Sequence, residues 1–250
     1  MKRLIDEKIF PLLIFILFWQ IICYLNIFNA KILPSPIIIG SALFSLIIHG
    51  NILSDALVSI QRVIIGFSLA ILLGVPIGLI SGYNKKISEL ITPALEILRP
   101  IPPIAWTPLA ILWFGLGNSP AYFLVFLGSF FPIFTNTLLG IISTDEIYIK
   151  VARSLGATKK QIIFSVLLPS AFPAIFSGIK IGFGFGWMAL VAAELIGAQS
   201  GLGYMIQLNR FLLETPNVIS GMIVIGIIGL LGNNLLNFLE HKLMPWKNGV

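Results

Sequence analysis

Apolar residues occur along this chain in long uninterrupted runs, separated by short polar segments. A membrane-spanning strand alternates apolar and polar residues over about ten positions, whereas these runs are apolar on every face, which predicts helices in contact with lipid. A helix needs roughly 17–25 mostly apolar residues to cross about 30 Å of hydrocarbon. Runs of this length predict six transmembrane helices, at Ile9–Phe28, Val63–Gly82, Ile101–Gly117, Ala121–Ile142, Ala171–Ile196 and Val218–Leu239.

The composition supports a bilayer as the solvent. Of 250 residues, 57% are hydrophobic and only 10% are charged, whereas a water-soluble surface needs roughly 25–35% charged residues. We therefore predict an all-α membrane protein, with 1–250 as a single transmembrane domain and its core at 57–240. The apolar segment Pro36–Ile48 is too short to span the membrane and is predicted to be a loop at the interface.

The amino terminus has features of a signal peptide, with Lys2 and Arg3 before an apolar stretch. That stretch is long, however, and Phe28 is a poor residue for a small-x-small cleavage site, so we predict a retained first helix.

Basic residues predict the orientation of the helices. With the amino terminus in the cytoplasm, twelve Lys and Arg residues fall in inner segments and three, Lys31, Arg62 and Arg210, fall in outer segments. Short loops rich in Lys and Arg remain cytoplasmic, so both termini are predicted to be cytoplasmic. This asymmetry accounts for the net charge of +6 without a nucleic-acid partner.

One inner segment, 143–169, has the local chemistry of a helix-turn-helix. Ser143 with Glu146 and Thr158 with Gln161 each fit a capping box at a helix start.

Gly156 of the same segment is suited to end the first helix in a left-handed conformation, and Pro169 is expected to stop the second helix. The first helix also has an apolar stripe, made of Ile147, Tyr148, Val151 and Leu155. The stripe fits either packing against the protein's own bundle or docking of a partner.

This segment resembles the cytoplasmic EAA loop of ABC-transporter permeases, whose pattern is E-A-A, three residues, Gly, nine residues and I-x-L-P. Residues 150–152, Gly156 and 166–169 keep both spacings, although Lys150 and Val151 replace the usual Glu and Ala. Four flanking segments are similar to permeases of the taurine, aliphatic sulfonate, nitrate and bicarbonate group, at 99–117, 127–141, 177–206 and 221–236. The resemblance extends over nearly the whole chain from about Leu57.

The resemblance implies that 143–169 is a coupling loop that lies in a groove of a cytoplasmic ATP-binding subunit. The loop residues that it identifies are Lys150, Val151, Ala152, Arg153, Gly156, Leu168 and Pro169. It also implies the partners: two copies of the ATP-binding subunit, a second permease copy, most simply an identical one, and an extracytoplasmic substrate-binding protein.

The sequence contains no G-x-x-x-x-G-K-[ST] phosphate-binding loop, so ATP hydrolysis is expected in a separate subunit and this chain is not predicted to be an enzyme. It also lacks a Cys/His cluster with metal-site spacing, because His49 and His241 are isolated. We therefore expect no cofactor or metal ion.

Polar residues inside the predicted helices are candidates for the translocation pathway. Lys180, Trp187 and Glu194 lie on one face of the fifth predicted helix, since their spacing leaves the two charges about 40° apart. Such residues often face a wet cavity, and Asn136 of the fourth helix is a further candidate. Alternatively, Lys180 snorkels to the cytoplasmic edge, Glu194 reaches interfacial water and Asn136 joins two helices. If Lys180 and Glu194 line the pathway, replacing each by Leu is expected to reduce uptake while leaving the protein inserted.

Two further features concern packing. Gly178 and Gly182 have the small-xxx-small spacing that allows helices to approach closely. The prolines of 99–106 remove backbone donors, and unwound backbone at membrane depth is tolerated where protein or a cavity covers it, which places the third predicted helix next to the pathway.

These features predict the permease subunit of an ABC importer for a small, anionic solute such as a sulfonate, taurine or nitrate, in the cytoplasmic membrane. The alternative is a channel or secondary transporter that works without an ATPase. An intramembrane enzyme is disfavoured, because no nucleophile–base pair or metal constellation occurs in the predicted helices.

Overall fold

The computed structural model describes residues 2–25, 29 and 32–244, and these residues form helices and connecting turns with no β-strand. A 3-10 turn at Pro103–Trp106 and a π turn at Ile163–Leu167 interrupt the α-helices. The α-helices are α1 Lys2–Tyr24, α2 Pro36–Ile48, α3 Ile52–Tyr83, α4 Lys85–Leu98, α5 Thr107–Phe114, α6 Ser119–Ile142, α7 Glu146–Ser154, α8 Lys159–Ile162, α9 Leu168–Gly197, α10 Leu202–Phe211 and α11 Thr215–Leu243.

Four stretches of helix are long and apolar enough to cross a membrane: α3, α6, α11 and the stretch from α8 through α9. They contain the second, fourth, sixth and fifth predicted helices. The pair of α4 with the segment Pro103–Phe114 passes the same test as one broken span, which raises the number among the described residues to five. The prediction of six is therefore not confirmed.

The first predicted helix lies on α1. Among the residues whose side chains the structure describes, its apolar helix Leu13–Tyr24 is shorter than a full span. Residues 26–28 of that prediction lie outside the described residues. Residue 1 and residues 245–250 also lie outside the described residues. The prediction that both termini are cytoplasmic concerns these residues.

The third predicted helix, Ile101–Gly117, is wrong as a single span. Its α-helical part α5 has eight residues, about 12 Å of helix, and the chain bends by 86° between α4 and Pro103–Phe114. Pro102 and Pro103 lack the N–H groups that would continue α4. At the other end, Gly115 has φ +75° and ends α5.

The loop predicted at Pro36–Ile48 is instead a helix, α2. Its thirteen residues begin with a proline at the first turn, and the Ser35 hydroxyl caps the helix by accepting a hydrogen bond from the Ile38 N–H at 3.4 Å. At 1.5 Å per residue the helix is about 20 Å long, so it is too short to span the membrane, as predicted.

The chain divides into two compact units. One unit consists of residues 1–58 and 200–227. Within it, the Asp55 carboxylate accepts a hydrogen bond from the Gly201 N–H at 2.8 Å, and the Ser220 hydroxyl donates to the Ile39 carbonyl at 3.3 Å. These two bonds join segments that are far apart in the sequence.

The other unit consists of residues 59–199 and 228–250, and α6 is its centre. Glycines let the neighbouring helices approach α6 closely: a Cβ atom added to Gly78 of α3 would lie 2.7 Å from Thr137 Cβ. Cβ atoms added to Gly178 and Gly182 of α9 would lie 2.6 Å from Asn136 Cβ and 2.9 Å from Ile133 Cγ1. The close packing predicted from the spacing of Gly178 and Gly182 is thus confirmed.

Candidate functional site

The loop 143–169 begins with a cap that differs from the predicted one. Asp145, rather than Ser143, caps α7, and its carboxylate accepts a hydrogen bond from the Ile147 N–H at 2.9 Å. The Ser143 hydroxyl instead donates to the Gly140 carbonyl at the end of α6, at 3.1 Å. Asp145 is the residue directly before α7, so its side chain reaches the free N–H groups of the first turn.

The turn after α7 has the predicted geometry. Gly156 has φ +81°, a conformation that residues with a side chain seldom adopt. Its N–H donates to the Arg153 carbonyl, and the Ala157 N–H donates to the Ala152 carbonyl, both at 3.0 Å. This pair of bonds is a Schellman motif, and it fixes the direction in which the chain leaves α7.

The second capping box is also confirmed. The Thr158 hydroxyl accepts from the Gln161 N–H at 3.3 Å, and the Gln161 side chain accepts from the Thr158 N–H at 2.8 Å. The expectation that Pro169 stops this second helix is wrong, because helix continues through the π turn Ile163–Leu167 into α9, where Pro169 lies in the first turn. The wider turn accommodates a residue that has no N–H.

The short helix α7 has two apolar faces. On one face, Ile149 and Ala152 pack against a buried cluster, which also receives Leu168 and consists of Ile141, Ile162, Leu167, Ala171 and Ile175. On the other face, the stripe predicted from the sequence is solvent-exposed, with exposed fractions of 61% for Ile147, 61% for Tyr148, 53% for Val151 and 82% for Leu155. The stripe therefore does not pack against this chain.

Charged residues surround this exposed stripe. Lys150 forms a salt bridge with Glu146 one turn earlier, with Nζ and Oε2 3.1 Å apart. This spacing and order of charges favour the helix, so the charge of Lys150 is compensated within α7. Arg153 lines a cavity of about 470 Å³ that Ser81 and Lys85 also line.

The candidate pathway residues do not meet in one place. Lys180 contacts α11, where its Nζ forms a salt bridge with the Glu240 carboxylate and lies 3.5 Å from Asn237 Oδ1. Trp187 faces the same helix: a Cβ atom added to Gly229 would lie 3.0 Å from its ring nitrogen. Lys180 and Trp187 thus share a face of α9, as predicted, and that face packs against α11.

Glu194 contacts α3 instead. Its carboxylate accepts from Arg62 Nη1 at 2.7 Å and from the Ser59 hydroxyl at 2.8 Å and 2.9 Å. Arg62 also donates to Asn118 Oδ1 from two of its nitrogens, at 2.7 Å and 3.0 Å. Glu194 is 1% exposed and Arg62 is 2% exposed, so this is a buried network of charged and polar groups.

The placement of Arg62 in an outer segment is therefore a correction to the sequence analysis. Arg62 lies inside α3, which begins at Ile52 rather than near Val63. One feature of the sequence indicates that Arg62 belongs to a helix: Ser59 and Arg62 are three residues apart, a spacing that places both on one helix face.

Asn136 lies beside a cavity of about 450 Å³. Its side-chain amide donates to the Pro132 carbonyl of its own helix at 2.8 Å. Arg99, Thr135, Ile181 and other residues also line the cavity. In the sequence, Arg99 is indicated only as a cytoplasmic charge and not as a pathway residue.

The residues that the structure describes contain no group of three or more His, Cys, Asp or Glu side chains that could hold a metal ion.

Comparisons with known sequences identify related proteins. The sequence profile described as binding-protein-dependent transport system inner membrane component matches residues 74–247, more than half of the chain. A putative aliphatic sulfonates transport permease protein of Bacillus subtilis is 39% identical, over 94% of this chain and 85% of the relative. The taurine transport system permease protein of Escherichia coli is 33% identical, over 100% and 93%. The nitrate import permease protein of a Synechocystis species is 34% identical, over 91% and 85%.

A solved structure has a similar fold. It is described as showing inward-facing conformations of the MetNI methionine ABC transporter, and it matches with a TM-score of 0.61 and 19% sequence identity. The match covers 74% of this chain and 94% of that chain. Because the sequence identity is low, this similarity supports the fold alone.

Proposed function

This chain belongs to the family of binding-protein-dependent transport system inner membrane components, and from that premise we propose that it is the membrane-spanning subunit of an ATP-driven importer. The importer moves a small anionic solute into the cell across the cytoplasmic membrane. Both termini of the chain and the loop 143–169 lie in the cytoplasm, and the whole chain acts as one transmembrane domain.

The observation that carries this proposal is the exposed apolar face of α7. Leu155 and its three neighbours on the stripe are all more than half exposed, although α7 is bordered by charged residues and belongs to a segment rich in Lys and Arg. A contiguous exposed apolar face with a charged border is typical of a surface that another protein covers. The occupant that fits a transport subunit without its own phosphate-binding loop is the ATP-binding subunit.

The loop residues then have two roles. Lys150, Val151 and Arg153 contact the ATP-binding subunit, since all three are exposed. Ala152 and Leu168 pack against the buried cluster and hold α7 to the membrane domain. Gly156 sets the angle between α7 and α8. Pro169 lies in the first turn of α9, the membrane helix that carries the movement of α7 onward.

The orientation has stronger support than the sequence alone offered. Because Arg62 is buried within α3, it no longer counts as a charge of an outer loop. Without Arg99, which lines a cavity next to α6 and α9, eleven basic residues lie in inner segments and two, Lys31 and Arg210, lie in outer segments. Basic residues in short loops oppose translocation, so this distribution supports a cytoplasmic loop 143–169.

The chemistry of the solute follows from the named relatives. Aliphatic sulfonates, taurine and nitrate share one feature, a negative charge spread over three oxygen atoms on one centre. We therefore propose that the transported solute carries such an oxyanion group and arrives on an extracytoplasmic binding protein. The complete importer contains two permease chains and two ATP-binding subunits.

Asn136 and its cavity form part of the pathway in this proposal. The charged candidates Lys180 and Glu194 act differently, since each forms a salt bridge with a neighbouring helix. They hold the helices that flank the pathway.

Reconstitution into proteoliposomes tests the proposal. The purified permease, its ATP-binding subunit and its binding protein should take up a labelled sulfonate, taurine or nitrate only when ATP is present on the cytoplasmic side. Uptake that proceeds without the ATP-binding subunit would instead identify a channel or a secondary transporter.

A variant of the stripe sharpens this test. Leu155→Ser should abolish ATP-dependent uptake and binding of the ATP-binding subunit, because it removes the most exposed apolar side chain of the stripe without affecting packing within the chain. The control is the neighbouring Ser154→Ala, which should transport normally. Normal transport by Leu155→Ser would contradict the role of the stripe.

A further inference from the structure

We propose that Arg99, with Thr135 and Asn136, forms an oxyanion-binding site in the translocation pathway, a proposal that rests on the function proposed above. The ligand is the sulfonate or nitrate group of the transported solute. None of these three residues belongs to the coupling loop, and the sequence indicated Arg99 only as a cytoplasmic charge.

The site lies at the middle of the membrane helices. The cavity of about 450 Å³ is lined by Leu127, Thr135 and Asn136 of α6 and by Ile181 and Phe185 of α9, which belong to the middle turns of these helices. A cavity of this volume is large enough for a small organic anion. The cavity lies near mid-length of both helices.

The broken backbone between α4 and α5 forms another wall. Ile101, Pro102 and Pro103 line the cavity, and they belong to the stretch in which the chain bends by 86°. Irregular backbone at membrane depth is stable where protein buries it or where it borders a water-filled cavity. The break thus brings Arg99, which directly follows α4, to the side of α6 that carries Thr135.

The charge of Arg99 is available to a ligand. The salt bridges found within the described residues do not include Arg99. Among the described residues, the Thr135 hydroxyl makes no hydrogen bond. The Asn136 side-chain amide donates one N–H to the Pro132 carbonyl, which leaves its second N–H free to donate. A guanidinium, a hydroxyl and an amide are together suited to an anion that accepts several hydrogen bonds.

The position of Glu96 locates the anion. Arg99, Phe131 and Thr135 also line a second cavity, of about 260 Å³, and Glu96 lines that one. Glu96 does not line the larger cavity, and no other Asp or Glu does. Repulsion by Glu96 disfavours an anion in the small cavity, so the anion occupies the large one, beside Asn136.

The labelling rate of a cysteine placed in the cavity reports the electrostatic potential there, and this measurement does not require transport. We suggest Thr135→Cys in a background with Cys23→Ala, in membranes that contain the assembled transporter. Its labelling rates are compared for two methanethiosulfonates of similar size, the sulfonatoethyl reagent, which is itself an aliphatic sulfonate, and the cationic trimethylammonioethyl reagent. The sulfonate reagent should react faster.

Adding Arg99→Gln should lower the ratio of the two rates by about tenfold, because losing one nearby positive charge affects reagents of opposite charge in opposite directions. Lys86→Gln is the matched control, since it removes an exposed positive charge from α4 outside both cavities and should leave the ratio unchanged. Ethanesulfonate in excess should slow labelling when Arg99 is present and not in Arg99→Gln.

Two results would overturn the site. One is a ratio of labelling rates that does not change with Arg99→Gln. The other is a Thr135→Cys protein that neither reagent labels although Ser154→Cys is labelled in the same membranes. These failures differ from failure of the proposed function. A reconstituted importer that carries no sulfonate, taurine or nitrate rejects the function whatever the labelling ratio is. If it carries one of them and the ratio is insensitive to Arg99, only the site is rejected.

Discussion

At the scale of single residues, the charged groups inside the membrane helices are paired. Glu194 and Arg62 are both nearly inaccessible and lie 2.7 Å apart, and Lys180 forms a salt bridge with Glu240. Removing one member of a buried pair leaves the other charged and desolvated, which costs much more than the pair contributes. Each of these residues therefore depends on its partner on another helix.

Glu194→Leu should destabilise the protein by about 3–5 kcal/mol, because it leaves the Arg62 guanidinium buried without its carboxylate. The double variant Arg62→Met with Glu194→Leu should regain most of this loss, since apolar replacement of a whole buried pair is often neutral. The measurement is the temperature at which the detergent-solubilised protein loses its monodisperse peak in size-exclusion chromatography.

The control for this prediction is Lys85→Ala, which removes an exposed pair with Glu89 and should not change that temperature measurably. From the sequence alone, Glu194→Leu is expected not to destabilise the protein, because it removes a charge that has no visible partner in the membrane helix. A single variant as stable as the natural protein would show that this expectation is right and that the pair is unimportant.

At the scale of helices, α9 and α6 approach closely because α9 carries glycine where α6 is nearest. A Cβ atom added to Gly182 would lie 2.9 Å from both Ile133 Cγ1 and the Ser129 carbonyl oxygen. The carbonyl belongs to the α6 backbone and cannot rotate away as a side chain would. The contact between the two helices therefore excludes even a methyl group at this position.

Gly182→Ala should lower stability by about 1–3 kcal/mol, the usual cost of overpacking. Gly184→Ala is a matched control on the same helix, because no atom lies within 4 Å of a Cβ added there. Thermal unfolding of both variants in the same detergent compares them. Equal midpoints would mean that the helices separate at no cost and that the glycine is not needed for packing.

The turn between α7 and α8 supports a second prediction at this scale. Gly156 has φ +81°, and a residue with a side chain costs roughly 1–2 kcal/mol in a left-handed conformation. Gly156→Val should leave membrane insertion normal and abolish ATP-dependent uptake, because α7 is misdirected. Uptake by reconstituted variants is the measurement.

Gly156→Asn provides the comparison, because asparagine enters this conformation more easily than other residues with a side chain. It should retain a substantial part of the uptake that Gly156→Val loses. If the two variants transport equally well, the conformation of this residue does not direct α7.

At the scale of the whole molecule, the distribution of basic residues predicts which loops face the cytoplasm. Single cysteines placed at Ser154 and Glu214, both exposed, should differ in their labelling from outside the cell in a background that lacks Cys23. A membrane-impermeant thiol reagent added to intact cells should label the Glu214 position and not the Ser154 position. Permeabilised cells provide the control, since both positions should then react. Labelling of Ser154 in intact cells would reverse the topology and remove the contact with a cytoplasmic ATP-binding subunit.

Features that depend on neighbours along the chain were predictable from the amino-acid sequence. The length of the apolar runs at Val63–Gly82 and Ala171–Ile196 was enough to place α3 and α9, since the cost of exposing backbone and polar groups to lipid acts on each segment alone. The turn at Gly156 and the capping box at Thr158 were predictable because their hydrogen bonds join residues no more than five positions apart.

The partner that each side chain contacts depends on packing between distant segments. The helical spacing of Lys180, Trp187 and Glu194 gave their direction from α9 but not the helix opposite, so the sequence placed them together, whereas Glu194 contacts an arginine 132 positions away. The break after α4 was likewise visible only as prolines, and the cavity beside it exists because α6 and α9 lie across from it. Sequence periodicity fixes which way a side chain points, and packing between distant segments fixes its partner, because a pairing energy appears only when both groups are buried together.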